Sequence, residues 1–214
     1  VIDAEAALSR LREGNRRFAA NRTTAPSLSD HARAALVAGQ EPFAIVLGCS
    51  DSRVPAELVF DQGFGDLFVI RVAGNVVAPS QVGSVEFAAA RFGTRLVVVM
   101  GHSQCGAVLA TLEELLGRTT NQSRNLRAIV DRVRPAVQGL LSGRGDEEPG
   151  VLLEEAVRAN VRASVDQLRH GSELLEQLIR SDGLVVVGAE YSLESGVVTF
   201  LQEGAGVRAW SRIG

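Results

Sequence analysis

The chain has no lysine, only two cysteines and three histidines, and a single methionine, tryptophan and tyrosine among its 214 residues. With lysine missing, arginine supplies all 22 basic charges; 25 acidic ones oppose them, for a formal net charge of −3 and a pI near 5.7. Nothing in that balance concentrates positive charge, so a nucleic-acid or anionic-membrane partner is excluded as an expectation. Arginine-only usage reads as genome composition, not as a guanidinium-dependent function. Two cysteines cannot build a disulfide framework and point to a reducing compartment, the cytoplasm of a bacterium. No apolar run approaches the ~20 residues of a membrane helix, so no membrane insertion is expected. The first residues form an acidic amphipathic stretch instead of a signal peptide. A start at Val1 instead of Met fits a trimmed chain or the soluble domain of a larger polypeptide.

A length of 214 residues with 46% hydrophobic content suffices for one α/β core and falls short of two. Ala4, Ala7, Leu8, Leu11 and Phe18 recur at helical spacing behind Asp3, a candidate N-cap, which predicts an amphipathic helical arm within residues 1–40. A second short helix is expected over 29–37. Four short, largely apolar runs, 43–47, 67–72, 96–100 and 184–189, read as buried parallel strands. Helical segments separate them at 84–92, 106–116, 126–141, 151–169 and 172–179. Alternation of this kind predicts a single α/β domain with a mostly parallel sheet of four to five strands. Residues 197–201 would return as an antiparallel edge. The core is placed at 41–201, with a tail at 202–214 and a solvated loop at 142–150.

Both cysteines stand beside short polar words that follow apolar runs: GCSDSR at 48–53 and GHSQC at 101–105. Ligands of open parallel sheets bind beyond the carboxyl ends of the strands. Cys49, Asp51 and Arg53 follow the first strand, Gly74 the second, and His102 and Cys105 the third, so three strand tips can meet. Two thiolates and an imidazole are a donor set for zinc. A fourth position held by water makes such a site catalytic, because zinc lowers the pKa of that water to about 7; one held by protein closes it. Asp51 is the nearest candidate for a fourth ligand, and Arg53 can draw its carboxylate away. Spacing alone leaves a structural zinc or an inert core open, since lone buried cysteines and histidines are usually structural.

The words CSDSR, R-x-A-G-N (71–75) and G-H-S-x-C-G-A (101–107), in that order, resemble those of the β-class carbonic anhydrases. GAEYSLESGVV (188–198) is similar to that family's late strand and turn, and L-x-x-G-N-R-R-F (11–18) to its arm. The resemblance covers nearly the whole chain. It implies one Zn²⁺ per chain on Cys49, His102 and Cys105, an Asp51–Arg53 catalytic dyad, and hydration of CO2 to bicarbonate and a proton by zinc-bound hydroxide. Asp51 would orient the nucleophile and Arg53 would hold Asp51; in some members the aspartate itself ligates zinc. The tryptophan that marks the family's bicarbonate-regulated, closed subtype falls at Val46 here. Gln40, Phe68 and Phe87 match the glutamine and aromatic residues of the open, plant-like subtype, with Gly74 and Gly106 completing the substrate pocket. The resemblance further implies a homodimer or homotetramer joined through the arm, with Gln40 reaching the neighbour's metal.

Two positions depart from the family pattern: Val72 and Ser192 replace a common Asn and Asp. His31 and His170 read as surface residues. Rival readings are a zinc hydrolase of carbon disulfide-like heteroallenes and a non-catalytic bicarbonate- or zinc-binding domain of a transporter; the Asp51–Arg53 pair speaks against the latter. A thiol redox enzyme is disfavoured because the cysteines form no CxxC unit.

Overall fold

Residues that are apolar at every position of a strand leave no face for water, so helices must cover both sides of the sheet they form. The computed structural model describes residues 2–24, 30–119, 123–142, 144 and 149–201. Helices α1 (Ala4–Ala19) and α2 (Asp30–Ala35) precede strand β1 (Ala44–Gly48). After it come α3 (Ala56–Val59), β2 (Leu67–Arg71), a 3₁₀ turn at Ala73–Asn75, α4 (Pro79–Arg91) and β3 (Leu96–His102). The chain continues through α5 (Gly106–Leu115), α6 (Arg124–Val137), a 3₁₀ turn at Gln138–Leu141, α7 (Pro149–His170), α8 (Glu173–Ser181), β4 (Val185–Tyr191) and β5 (Val198–Phe200).

The sheet order is β2-β1-β3-β4-β5, parallel throughout except for the antiparallel β5. Every residue of β1 and β3 is buried. Because side chains alternate across a strand, Val46, Val98 and Met100 meet Ala7 and Leu11 of α1 and Val59 of α3 on one face. Ile45, Leu47, Val97 and Val99 meet Val85 and Ala88 of α4 and Val161 and Val165 of α7 on the other. A third cluster, built from α5, α6 and α7, encloses Cys49 and Cys105. From β1 the chain leaves to β2 on one side and later crosses to β3 on the other. The carboxyl ends of β1 and β3 therefore flank the switch point where such sheets hold ligands.

The four parallel strands, the antiparallel edge and all seven expected helices stand where the sequence places them, to within a few residues except at the start of α4. That helix begins at Pro79 instead of 84, with proline in its first turn, where the missing N–H costs nothing. The expected 126–141 helix divides at Val137 into α6 and a 3₁₀ turn. The four-residue α3 is too short to show a period. Of the expected 142–150 loop, Pro149 and Gly150 instead open α7. The 202–214 tail and the side chain of His31 lie outside the described residues; His170 is exposed at the end of α7.

The arm, through which the resemblance implies that copies of the chain join, also packs within its own chain: α1 docks on its own sheet with Ala7 and Leu11 fully buried. Asp3 caps the helix by accepting from Ala6 N at 2.8 Å. Gly14 sits so close to α3 that a Cβ would lie 1.8 Å from the Phe60 carbonyl oxygen. Asn15 completes the joint: its amide donates to Val59 O (3.1 Å) and Gly196 O (2.9 Å) and accepts from Val198 N (2.8 Å). The G-N pair is thus an intrachain latch, which helical periodicity alone could not distinguish from an intermolecular one.

Candidate metal centre

Cys49 leaves β1, His102 is the last residue of β3, and Cys105 stands at the N-cap of α5. Their ligand atoms lie within 4.8 Å of one another, and all three residues are buried. His102 Nδ1 is 2.9 Å from Ser103 O, which fixes the proton on that nitrogen in the neutral ring. Its Nε2 is buried without a hydrogen-bond partner among the described residues. A buried imidazole nitrogen with a free lone pair, beside two sulfurs, fits a metal such as zinc: the donor types match, and the orphaned atom acquires a partner when one binds.

The sulfurs are not equivalent. The adjoining Cys105 thiol, against burial and with help from His102 and backbone N–H groups, brings the Cys49 thiol down to about 4. The same contact and burial drive Cys105 well above the ordinary thiol range. Burial disfavours a charged His102, but the adjoining Cys49 sulfur, the Ser103 carbonyl and Asp51 together raise the ring. The Gly74 amide also donates to Cys49 Sγ, at 3.3 Å.

Asp51 faces the set, with Oδ2 3.9 Å from His102 Nε2. Arg53 grips it through Nε to Oδ1 (2.9 Å), Nη2 to Oδ2 (2.7 Å) and its backbone N to Oδ1 (2.9 Å). That fork holds the Asp51 carboxyl far below the usual carboxylate range. Arg71 is a site residue that the sequence reading quoted within a motif but gave no role. Its guanidinium donates to Cys49 O (3.0 Å) and Asp51 O (2.5 Å), clamping the backbone that carries both side chains. Its position at the end of β2 was the available signal.

The Ser103–Gln104 bridge between His102 and Cys105 is held from the far side. Ser103 N donates to Tyr191 O at 2.9 Å, and Ser103 Oγ and Gln104 Nε2 donate to Glu194 at 3.0 and 2.7 Å. Gln104 adopts a left-handed φ of 56°, which such anchoring sustains. Gly106 opens α5, and a Cβ there would meet nothing within 4 Å. The structure thus gathers Cys49, Asp51, Arg53, Gly74, His102, Cys105 and Gly106 around one point. Gln40 is exposed before β1. Phe68 and Phe87 pack with Phe92, centroids 5.6 to 6.2 Å apart. Among the described residues no hydrogen bond or ring contact links Gln40, Phe68 or Phe87 to the ligand set.

The sequence profile of the carbonic anhydrase family matches residues 44–198. Carbonic anhydrase 2 of Mycobacterium tuberculosis is 42% identical over 191 residues, 89% of each chain. The carbonic anhydrase of Mycolicibacterium smegmatis is 40% identical over 194 residues, 90% of this chain and 91% of its own. Among solved structures, one of two tetrameric β-carbonic anhydrases from Sordaria macrospora superposes with a TM-score of 0.70 at 25% identity, covering 94% of this chain and 98% of that one. The β-carbonic anhydrase CafA of Aspergillus fumigatus shares the fold, with a TM-score of 0.72 at 24% identity, 92% of this chain and 89% of that one. Neither the heteroallene hydrolase nor the transporter-domain reading gains support from these likenesses. A Cys-His-Cys donor set at the switch point of this sheet, in a chain so closely matched along its length, belongs to a member of the β-class carbonic anhydrases.

Proposed function

We propose that Cys49, His102 and Cys105 hold one Zn²⁺ and that Asp51 and Arg53 orient the nucleophile in the reversible hydration of CO2 to bicarbonate. The observation that carries this is the buried, partnerless Nε2 of His102 between two sulfurs, with a carboxylate 3.9 Å away. Zinc in such a donor set supplies Lewis acidity that makes water nucleophilic near neutral pH. Both sulfurs would hold the metal as thiolates. Asp51 accepts a hydrogen bond from the attacking oxygen and so directs a lone pair to the carbon of CO2; Arg53 prevents the carboxylate from rotating. Since Arg53 occupies both carboxylate oxygens, the aspartate is held off the metal position, which favours the open form; Val46 in place of the tryptophan agrees.

Gly74 and Gly106 border the space left for substrate, and open room above Gly106 supports that role. Gln40, Phe68 and Phe87 complete the pocket from a second copy of the chain in a homodimer or homotetramer; the half-exposed Phe87 and the tetrameric Sordaria relatives support this assembly. No helix among the described residues is long and apolar enough to cross a membrane. The bacterial origin of the two mycobacterial relatives described above supports a cytoplasmic enzyme whose domain spans 1–214. The test is Asp51→Asn: stopped-flow CO2 hydration between pH 7 and 9 should be lost while zinc content stays at one per chain. Turnover in that variant refutes the dyad, and an inactive zinc-loaded parent refutes the reaction.

A further inference from the structure

Two polar side chains lie buried on the face of α7 that otherwise supplies valines to the core. Asn160 is 2% exposed and Ser164 is 4% exposed. Four residues apart, they stand one turn above the other. Burying an amide and a hydroxyl is costly unless each finds a partner, and both do so on one short segment. Asn160 Nδ2 donates to Gly74 O at 2.8 Å and Ser164 Oγ to Asn75 O at 3.1 Å.

That segment does not hold its shape unaided. Gly74 and Asn75 have left-handed φ values of 68° and 43°, a conformation that for asparagine persists where the surroundings impose it. A Cβ on Gly74 would also press to 3.1 Å from the Ala107 methyl. Asn75 N is tied to Val72 O at 3.0 Å, so with both following carbonyls clamped from α7, the Gly74 amide is left pointing at the Cys49 sulfur, 3.3 Å away.

We infer that Asn160 and Ser164 are positioning residues of the metal centre, acting on Cys49 through the Ala73–Asn75 turn. The inference rests on Cys49 being a metal ligand. An N–H aimed at a thiolate sets the direction of the sulfur's remaining lone pairs, and loss of such outer partners typically costs 10–100-fold in metal affinity. The sheet is shaped to permit the clamp: β3 and β4 carry Gly101 and Gly188 where α7 crosses, and a Cβ at either would come within 2.6 or 2.9 Å of Val161. Side chains at those two positions would lift α7 and withdraw both donors from the turn.

The experiment compares zinc-loaded parent, Ser164→Ala, Ser164→Thr and Asn160→Leu. Zinc transfer to an excess of a chromogenic chelator should be about 10-fold faster in Ser164→Ala and roughly 10–100-fold faster in Asn160→Leu. The rise in melting temperature on zinc loading should shrink in both, and the thiolate-to-metal charge-transfer absorption of the cobalt-substituted proteins should shift. Ser164→Thr, which keeps the hydroxyl, should restore the parental values. Ser164→Ala with parental zinc release and cobalt spectrum overturns the inference. An equal loss of melting temperature with and without metal overturns it too, since that marks a turn needed only for folding. Should Asn160→Leu not fold, the Ser164 pair decides alone. A parent chain that takes up no metal overturns the metal-centre reading and this inference with it.

Discussion

The buried Asn15 makes three hydrogen bonds of fixed polarity, so Asn15→Asp is a severe change of nearly constant volume. The carboxylate can still accept from Val198 N, but it turns an acceptor toward the Val59 and Gly196 carbonyl oxygens that the amide served at 3.1 and 2.9 Å. Each orphaned carbonyl costs about 1–3 kcal/mol, and the position is 4% exposed, so the loss at pH 8 should be about 3 kcal/mol or more. Asn15→Ala, which orphans all three groups without adding charge, should lose a similar amount. The two differ in pH dependence. The introduced carboxyl has a folded pKa raised above its unfolded value of about 3.9. Its penalty is therefore complete above the folded pKa and shrinks as pH falls toward 4, where the neutral acid can donate to one carbonyl. Urea unfolding of both variants at pH 8 and pH 5 measures this; with m of ~1–3 kcal/mol/M, the midpoint at pH 8 should drop by at least about 1 M. An Asp variant within 1 kcal/mol of the parent at pH 8, or one as unstable at pH 5 as at pH 8, refutes the latch and its polarity.

Gly101→Ala should destabilise by about 1–3 kcal/mol, the usual cost of overpacking, because its Cβ would stand 2.6 Å from Val161 Cγ2 and 3.1 Å from Val157 Cγ1. Adding Val161→Ala should recover part of that loss; a strictly additive double mutant in thermal unfolding would deny the contact. Arg53→Gln removes the two guanidinium hydrogen bonds that chiefly depress Asp51 and leaves the one from the backbone N of residue 53, so the carboxyl should titrate closer to about 3.9 in a carboxyl-carbon NMR titration. In the parent, the stability tied to this pair is present above the ordinary carboxylate pKa and is lost only as pH falls through the depressed folded value; an unchanged Asp51 titration in the variant would show that Arg53 is not the cause.

Much of this protein was already determined along the chain. β-Branched runs without a polar face had to be strands covered on both sides, and the breaks between them had to carry helices, so the parallel sheet follows from local pattern. The two-part Cys…His-x2-Cys word is equally local, because each piece sits at a strand end where the backbone turns toward the same edge. Tertiary structure alone decided the rest. Whether the stripe of α1 faces its own sheet or another chain depends on what Gly14 and Asn15 meet 40 to 180 residues away, and periodicity is the same in both cases. The roles of Arg71, Asn160 and Ser164 come from hydrogen bonds across 20 to 90 residues, in which partners are chosen by the path of the backbone. Sequence spacing names ligands because neighbours along a strand tip move together; it cannot name the groups that aim those ligands, since these arrive from helices folded over the sheet.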